Sequence, residues 1–214
     1  MRTACYNNVR FFIMPWIKAF VIGNGTSRLA IDLNELRGRG TIYGCNALYR
    51  DFTPDVLVAT DDPIAREIEK SGYPTNNVFY TRKPDYGAGS KKIEINFGYS
   101  SGPIAASLAA KNDHHPIYLI GFDFTGINGK FNNVYAGTNC YKAIDSTETY
   151  FGNWINQFND IFTKQFPHKR FIRVINDDKR FAPDSWHKLK NYSEMNLAEF
   201  KRSINSSLWQ KQKE

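Results

Sequence analysis

The chain has 214 residues, of which 42% are hydrophobic and 23% are charged, and its formal net charge at pH 7 is +7. This composition is ordinary for a soluble globular protein and excludes a low-complexity or repeat protein. Its three cysteines, Cys5, Cys45 and Cys140, are odd in number and far apart, which excludes a disulfide or zinc framework and favours a reducing, cytoplasmic compartment.

Short apolar runs alternate with segments of helical spacing along the whole chain. The predicted strands cover residues 18–22, 41–45, 54–60, 76–81, 115–124 and 169–176, and the predicted helices cover about 27–40, 61–72, 100–112, 145–166 and 196–209. The run 54–60 has consecutive apolar residues, which is typical of strands covered on both faces in a parallel sheet. The sequence therefore predicts an α/β, three-layer, Rossmann-like fold with a mostly parallel sheet flanked by helices.

Three parts are expected along the chain: an N-terminal extension over residues 1–17, a Rossmann-like domain over 18–176, and a basic C-terminal loop and helix over 177–214 that packs on it. Pro15 and Lys18 interrupt the first apolar stretch and no small-residue cleavage site follows, so no targeting peptide is predicted. No apolar run approaches the roughly 20 residues of a membrane-spanning helix.

Positive charge is concentrated near the C-terminus. Residues 164–214 carry 12 Lys and Arg against 6 Asp and Glu. This excess fits either a solvated basic face or contact with an anionic partner such as a nucleotide, a nucleic acid or a membrane surface. Binding of nucleic acid is the less favoured interpretation, because the basic and aromatic segment 166–181 also reads as one more strand with a polar exit.

Polar residues follow the predicted strands, where a parallel sheet binds its ligands. The candidate binding residues are Gly23, Asn24, Gly25, Thr26, Ser27, Asn46, Asp61, Asp62 and Asp123, together with Ser101 and Gly102 at the start of a helix. The segment Gly23–Ser27 is either a tight turn or a phosphate cradle built on backbone amides. It lacks the third glycine of a dinucleotide fingerprint, because position 28 is Arg, and it lacks the lysine of a P-loop.

The other polar positions also allow two interpretations. Asp61 and Asp62 fit a Mg²⁺ site, which needs one or two carboxylates and phosphate oxygens, or the cap of the following helix. Ser101 and Gly102 fit a ligand contact or simple N-capping, and Asp123 fits a ligand contact or an acceptor for loop amides. Asp123 and His187 are the two candidates for a general base, although no Ser/His/Asp or Cys/His spacing supports either of them.

Four segments in this order resemble a known superfamily: "VIGNGTS", "YGCNALY", "PDVLVATDDP" and "SSGPIAASLAAKNDHHPIYLIGFDF". The chain resembles bacterial sialyltransferases that carry a GNGPS signature. It is also similar to the domain of flagellin-modifying motility accessory factors and of archaeal 6-hydroxymethyl-dihydropterin pyrophosphokinases, which has small stand-alone relatives in marine bacteriophages. The resemblance covers about residues 18–125 and implies a nucleotide-binding domain.

The resemblance implies roles for particular residues. It puts Asn24 near the nucleotide phosphate, Asn46 at the sugar of the nucleotide, and the pair Ser101 and Gly102 against the nucleotide, with Asp123 in the matching G-x-D-F strand exit. Tyr135 and Tyr141 would supply hydroxyls to a phosphate. Two departures stand out: Thr26 replaces the usual proline, and the loop after Asp123 lacks the histidine that serves the family as general base.

The implied function is that of a glycosyltransferase-like protein that binds a nucleotide or a nucleotide-sugar of the CMP-sugar type. The alternatives are a Mg²⁺-dependent pyrophosphokinase-like transferase and a non-catalytic binding module of the same fold. No tightly bound cofactor is expected, whereas Mg²⁺ is compatible with the acids. An anionic glycan acceptor and a homo-oligomer are further expectations from the resemblance and the basic, aromatic-rich C-terminal third.

Overall fold

The computed structural model describes residues 17–176 and 181–205. The expected N-terminal extension, apart from Ile17, lies outside the described residues, as does the end of the predicted C-terminal helix. The strands are β1 (Ala19–Ile22), β2 (Thr41–Cys45), β3 (Val56–Ala59), β4 (Val78–Thr81), β5 (Lys91–Lys92), β6 (Ile117–Ile120), β7 (Phe171–Ile175) and β8 (Tyr192–Asn196).

The strands form one eight-stranded sheet in the order β5-β4-β3-β2-β1-β6-β7-β8. Every pairing is parallel. Strand β1 is central and pairs with β2 on one side and β6 on the other, so the order of the chain reverses there. All carboxyl ends lie along one edge, and a crevice is expected where the order reverses.

Helices cover both faces of the sheet. The α-helices are α1 (Asp62–Lys70), α2 (Ser101–Lys111), α3 (Gly152–Asp160), α4 (Asp184–His187) and α5 (Leu197–Asn205), and α3 continues into a π-helical turn, Ile161–Gln165. Short 3-10 helices occupy Thr26–Ala30, Leu33–Leu36, Asn46–Arg50 and Tyr73–Thr75. The α/β, Rossmann-like arrangement predicted from the sequence is confirmed.

Two hydrophobic cores lie on opposite faces of the sheet because successive strand residues point to opposite sides. Ala19 and Val21 contribute to the core beneath α2 and α3. Phe20 and Ile22 contribute to the core beneath α1 and α5. Both faces of β1 are therefore buried, which accounts for its uninterrupted apolar sequence.

An aromatic cluster fixes α3 and α4 to the sheet. The ring of Trp186 lies within 5.6 Å, centroid to centroid, of Phe124, Phe162 and Tyr192, and its side chain is 1% exposed. Ring pairs in this range add to the free energy of burial. The loop after β6 is thereby attached to the α3 layer through Phe124.

The single helix predicted over about 27–40 is wrong, since that segment forms two short 3-10 helices instead. The backbone amides of Thr26 and Ser27 bond to side chains of another loop, and Asp32 starts a new turn by accepting from the amide of Asn34. These local bonds compete with a continuous helix.

Two more segments differ from the prediction. The long helix begins at Gly152 rather than near Asp145, because the backbone of residues 146–148 pairs with the loop after β6. The amide of Phe131 donates to the carbonyl of Ser146 at 2.8 Å, and the amide of Glu148 donates to the carbonyl of Gly129 at 3.1 Å. Residues 192–195, expected to be loop, and Asn196, the expected start of the last helix, form the edge strand β8.

Part of the C-terminal positive charge is neutralised inside the fold. Lys169 is 3% exposed and paired with Asp113, and Arg173 is 1% exposed and paired with Glu194. These two cations are therefore not available to an anionic partner. None of the helices in the described part of the chain has the length and hydrophobicity that crossing a membrane requires.

Replacement of Trp186 by alanine should destabilise the protein by about 3–5 kcal/mol, because it leaves a cavity between α3, α4 and the sheet. Urea denaturation followed by circular dichroism measures the change in the free energy of unfolding. Leu29, which is 67% exposed, provides the control, and Leu29→Ala should change this free energy by less than about 0.5 kcal/mol. Equal effects of the two substitutions would contradict the core described above.

Candidate functional site

A cavity of about 140 Å³ opens at the carboxyl edge of the sheet, where the strand order reverses. We call it the exit cavity. Of the residues predicted from the sequence, the structure brings eight together in its lining: Gly23, Asn24, Gly25, Asn46, Asp61, Ser101, Gly102 and Asp123. They come from the ends of β1, β2, β3 and β6 and from the start of α2.

The backbone amides of the segment Gly23–Ser27 are mostly committed to the protein itself. Gly23 donates to the carbonyl of Ile120 at 2.8 Å, and Gly25 donates to that of Gly121 at 2.9 Å. The amides of Thr26 and Ser27 donate to the side chains of Asn132 and Asp123, respectively, at 3.0 and 3.2 Å. The segment is thus a turn fastened to the end of β6, which supports the tight-turn interpretation and leaves the phosphate cradle without support.

The glycine at position 25 is required by this close approach. A Cβ atom there would lie 2.5 Å from Oδ2 of Asp123 and 2.8 Å from the carbonyl oxygen of Gly121. Both distances are far below van der Waals contact, so any other residue would push the turn away from β6.

Asn24 links the ends of β1 and β2. Its Nδ2 donates to the carbonyl of Cys45 at 3.2 Å, which fixes the orientation of the amide because a carbonyl can only accept. Its Oδ1 is buried without a hydrogen-bond partner in the described structure, and its backbone amide has no acceptor there either. Within the described residues, Asn24 therefore has an acceptor, Oδ1, and a donor, its backbone amide, that make no hydrogen bond.

Ser101 serves to position its neighbours. Its hydroxyl donates to Oδ1 of Asn46 at 2.7 Å and accepts from the backbone amide of Thr60 at 3.0 Å. It therefore joins α2 to the ends of β2 and β3. Asn46 adopts φ = 52°, a left-handed conformation that asparagine tolerates, and its Nδ2 makes no hydrogen bond within the described residues. Asn46 Nδ2 is accordingly a donor available to a ligand.

The first turn of α2 offers further donors. The amide of Ser100, before the helix, is taken by the side chain of Gln157 at 2.9 Å, but those of Ser101 and Gly102 have no acceptor in residues 17–176 and 181–205. Unpaired amides and the helix dipole favour an anionic group at this end of an 11-residue helix. A Cβ atom at Gly102 would lie 2.6 Å from the ring of Phe122, so this close packing of α2 against the residue after β6 requires glycine.

An aromatic wall on α3 closes one side of the exit cavity. Phe151, Trp154 and Phe158 line it, and Trp154 Nε1 donates to the hydroxyl of Ser100 at 3.0 Å. Flat rings of this kind suit stacking with a planar group of a ligand. The sequence alone did not reveal the wall, because aromatic residues at helical spacing predict core packing equally well.

Asp123 is held by the loops on either side of it. Oδ1 accepts from the hydroxyl of Ser27, and Oδ2 accepts from the amide of Ser27 at 3.2 Å and from Nδ2 of Asn132 at 2.9 Å. The structural interpretation of Asp123 therefore accounts for most of its contacts. Asn132, which the sequence did not single out, also accepts from the amide and hydroxyl of Thr26 at 3.0 and 2.8 Å.

Tyr135 and Tyr141 do not line the exit cavity, so the predicted contact of their hydroxyls with a phosphate is not supported. The hydroxyl of Tyr135 accepts from Arg28 at 2.8 Å and donates to Asp51. Burial, with a further contribution from the hydrogen bond to Asp51, raises the pKa of Tyr135. The hydroxyl of Tyr141 accepts from the amide of Ala47 at 3.3 Å, and burial raises its pKa to about 12.

The predicted acid pair separates. Asp61 lines the exit cavity, whereas Asp62 forms an ion pair with Lys83 at 2.9 Å, and this hydrogen bond lowers the pKa of the Asp62 carboxyl. No group of three or more His, Cys, Asp or Glu residues that could hold a metal occurs in the described residues. Asp61 alone remains placed to bind Mg²⁺ together with phosphate oxygens.

His187 is not brought to the exit cavity. It ends α4, is exposed, and its ring lies 6.3 Å from that of Tyr192 rather than among the lining residues. A general base must come within hydrogen-bond reach of the proton it takes, and His187 is not among the residues that line the exit cavity. The prediction of a base role for His187 finds no support.

A second cavity of about 420 Å³ lies beside the first, at the ends of β1, β6 and β7. We call it the side cavity. Asp123, Thr125 and Asn132 line both cavities and form the wall between them. The predicted residues Thr26 and Ser27 line the side cavity rather than the exit cavity.

Comparison with known proteins gives structural similarity only. No protein-family model and no curated protein matches the chain. Sialyltransferase CstII from Campylobacter jejuni in complex with the substrate analogue CMP-3FNeuAc is similar at 14% identity and a TM-score of 0.48, over 73% of this chain and 81% of that one. The CstII complex with cytidine-5'-monophosphate is similar at 15% identity and a TM-score of 0.47, over 73% of this chain and 79% of that one. The CstII complex with trisaccharide acceptor and CMP is similar at 15% identity and a TM-score of 0.43, over 73% of this chain and 80% of that one. At this level of similarity the ligands of CstII are not transferred to this chain.

Cys45 lines the exit cavity but should not act as a nucleophile. Burial raises the pKa of its thiol to about 12, although Arg28 acts in the opposite direction. The reactive thiolate therefore forms only at strongly alkaline pH. In a Cys5→Ser background, iodoacetamide at pH 7.5 should alkylate the exposed Cys140 and react with Cys45 on the order of 100-fold more slowly, as peptide mass spectrometry would measure. Similar rates at the two cysteines would show that the exit cavity does not shield Cys45.

Proposed function

We propose that the protein binds a nucleotide-activated sugar of the CMP-sugar type in the exit cavity and acts as a glycosyltransferase. One observation carries the proposal. The polar ends of four strands and the start of α2 meet in a single cavity where the strand order reverses. The residues involved belong to the segments whose sequence resembles GNGPS-type sialyltransferases.

The anionic part of the ligand, a phosphate or a carboxylate, is assigned to the start of α2. The unpaired amides of Ser101 and Gly102 support this assignment, and Nδ2 of Asn46 lies on the same cavity as a third donor. These donors are preorganised because the hydroxyl of Ser101 and Oδ1 of Asn46 are already bonded to each other. Fixed donors of this kind stabilise the negative charge that develops on a departing phosphate.

The planar part of the ligand is assigned to the aromatic wall on α3. Phe151 and Trp154 belong to the lining, and the hydrogen bond from Trp154 to Ser100 links this wall to the start of α2. A nucleobase stacked there would leave its phosphate close to that helix. The start of α2 and the aromatic wall would thus each contact one end of a nucleotide, without requiring the two tyrosines.

Asp123 is the group proposed to take the proton of the acceptor hydroxyl. In the transfer, the hydroxyl oxygen would bond to the anomeric carbon of the donor sugar as the bond from that carbon to the phosphate oxygen breaks. The nucleotide would leave with the bonding electrons, and the proton would pass to the carboxylate. Asp123 is supported over His187 because it lines both cavities.

The pyrophosphokinase-like alternative is less well supported. Its metal site would use the acid pair, but Asp62 is engaged with Lys83 and only Asp61 lines the exit cavity. A role for Asp61 in binding Mg²⁺ stays a prediction, as do an anionic glycan acceptor and a homo-oligomer. A non-catalytic binding module would bind the same nucleotide without turnover of a CMP-sugar.

Replacement of Asn46 by aspartate tests the proposal. The substitution keeps an acceptor for Ser101 but removes the Nδ2 donor and adds a negative charge near the anion. CMP binding, measured by isothermal titration calorimetry, should weaken at least about 10-fold. Asn139→Asp makes the same chemical change at an exposed residue outside both cavities and should leave binding unchanged.

The same calorimetry defines the result that would end the proposal. Failure of CMP, UDP and GDP to bind the unaltered protein with a Kd below about 1 mM would remove its basis. Equal weakening by Asn46→Asp and Asn139→Asp would show a general electrostatic effect instead of a contact in the exit cavity.

A further inference from the structure

We propose that the side cavity is a second binding site, and that its ligand is an uncharged saccharide. The cavity has about three times the volume of the exit cavity, at about 420 Å³ against 140 Å³. It lies between the ends of β1, β6 and β7, on the far side of the wall formed by Asp123 and Asn132. The two cavities can therefore hold different ligands at the same time.

The polar lining of the side cavity consists mainly of hydroxyl and amide side chains: those of Thr26, Ser27, Thr125, Asn128, Asn132 and Asn176. The hydroxyls of Thr26 and Ser27 donate to the wall, to Asn132 and Asp123, so towards a ligand they offer lone pairs. The side chain of Asn128 makes no hydrogen bond within the described residues and can both donate and accept. Such a set matches ligand hydroxyls, which donate and accept in turn.

The two charged residues of the lining do not make it an ion site. The guanidinium of Arg173 donates to the carbonyls of Phe181 at 2.6 Å and Asp123 at 3.1 Å, and it contacts Glu194 at 3.4 Å. The carboxylate of Asp123 is held by Ser27 and Asn132. Because Arg173 is already paired with Glu194 and the partners of the Asp123 carboxylate are neutral, an anionic ligand would gain no free cation and would face a carboxylate and other oxygen lone pairs.

Apolar surface accompanies these polar groups. Ile127, which is 49% exposed, lines the side cavity together with Val174 and Ile175. A saccharide presents C–H faces as well as hydroxyls, so it can use both kinds of surface. If glycosyl transfer is the reaction, this ligand is the acceptor, because Asp123 adjoins both cavities. The acceptor would then be uncharged, in place of the anionic glycan expected from the sequence. That role rests on the proposed function, whereas the saccharide site itself does not.

The test uses saturation-transfer NMR titrations of the full chain with galactose, N-acetylglucosamine and lactose, and with galacturonate as the charged counterpart of galactose. At least one neutral saccharide should bind with a millimolar Kd, and galacturonate should bind more weakly than galactose. Asn128→Gly should weaken binding of the neutral saccharide about 5-fold, since it removes a hydrogen-bonding side chain. Glycine accepts the φ of 52° at position 128, so the backbone should keep its conformation.

Asn139→Gly, at an exposed position outside both cavities, is the control and should leave saccharide binding unchanged. The proposal is overturned if no neutral saccharide binds at about 50 mM. It is also overturned if galacturonate binds more tightly than galactose, or if Asn128→Gly and Asn139→Gly have the same effect. Saccharide binding without any nucleotide binding would uphold this site and reject the proposed function, so the two failures are distinguishable.

Discussion

The hydrogen bonds that fasten the turn after β1 to the loop after β6 are the constraint on which the rest of the site depends. Asp123 and Asn132 accept from the amides and hydroxyls of Thr26 and Ser27. A parallel sheet only brings its strand ends to one edge, whereas these side chains fix how the ends face one another. The same two side chains form part of the wall between the two cavities, and Oδ2 of Asp123 adds to the crowding that requires glycine at position 25.

The same bonds explain which sequence interpretations hold. Buried apolar runs were enough to predict the parallel sheet, and the polar exits were enough to predict that Asn24, Asn46 and Ser101 would line one cavity. The use of the turn amides could not be predicted, because their acceptors belong to Asn132 and Asp123, about a hundred residues away in sequence. A glycine-rich turn has the same local pattern whether its amides bind a ligand or the protein.

Of the site residues inferred from the family resemblance, some line the exit cavity and others do not. Ser101 and Gly102 lie at the exit cavity, but Tyr135 and Tyr141 lie in a separate cluster with Arg28 and Asp51. The resemblance covered only residues up to about 125, and both tyrosines fall beyond it. Contacts over long sequence separation decide such positions, and no motif in this chain encodes them.

The central claim is that the start of α2, and not the glycine turn, receives the anionic group of a nucleotide. The most direct measurement is a crystal structure of the protein with CMP. The account predicts phosphate oxygens about 3 Å from the amide nitrogens of Ser101 and Gly102, with the base against Trp154. A phosphate bound at Tyr135 and Tyr141, or CMP bound away from the exit cavity, would contradict it.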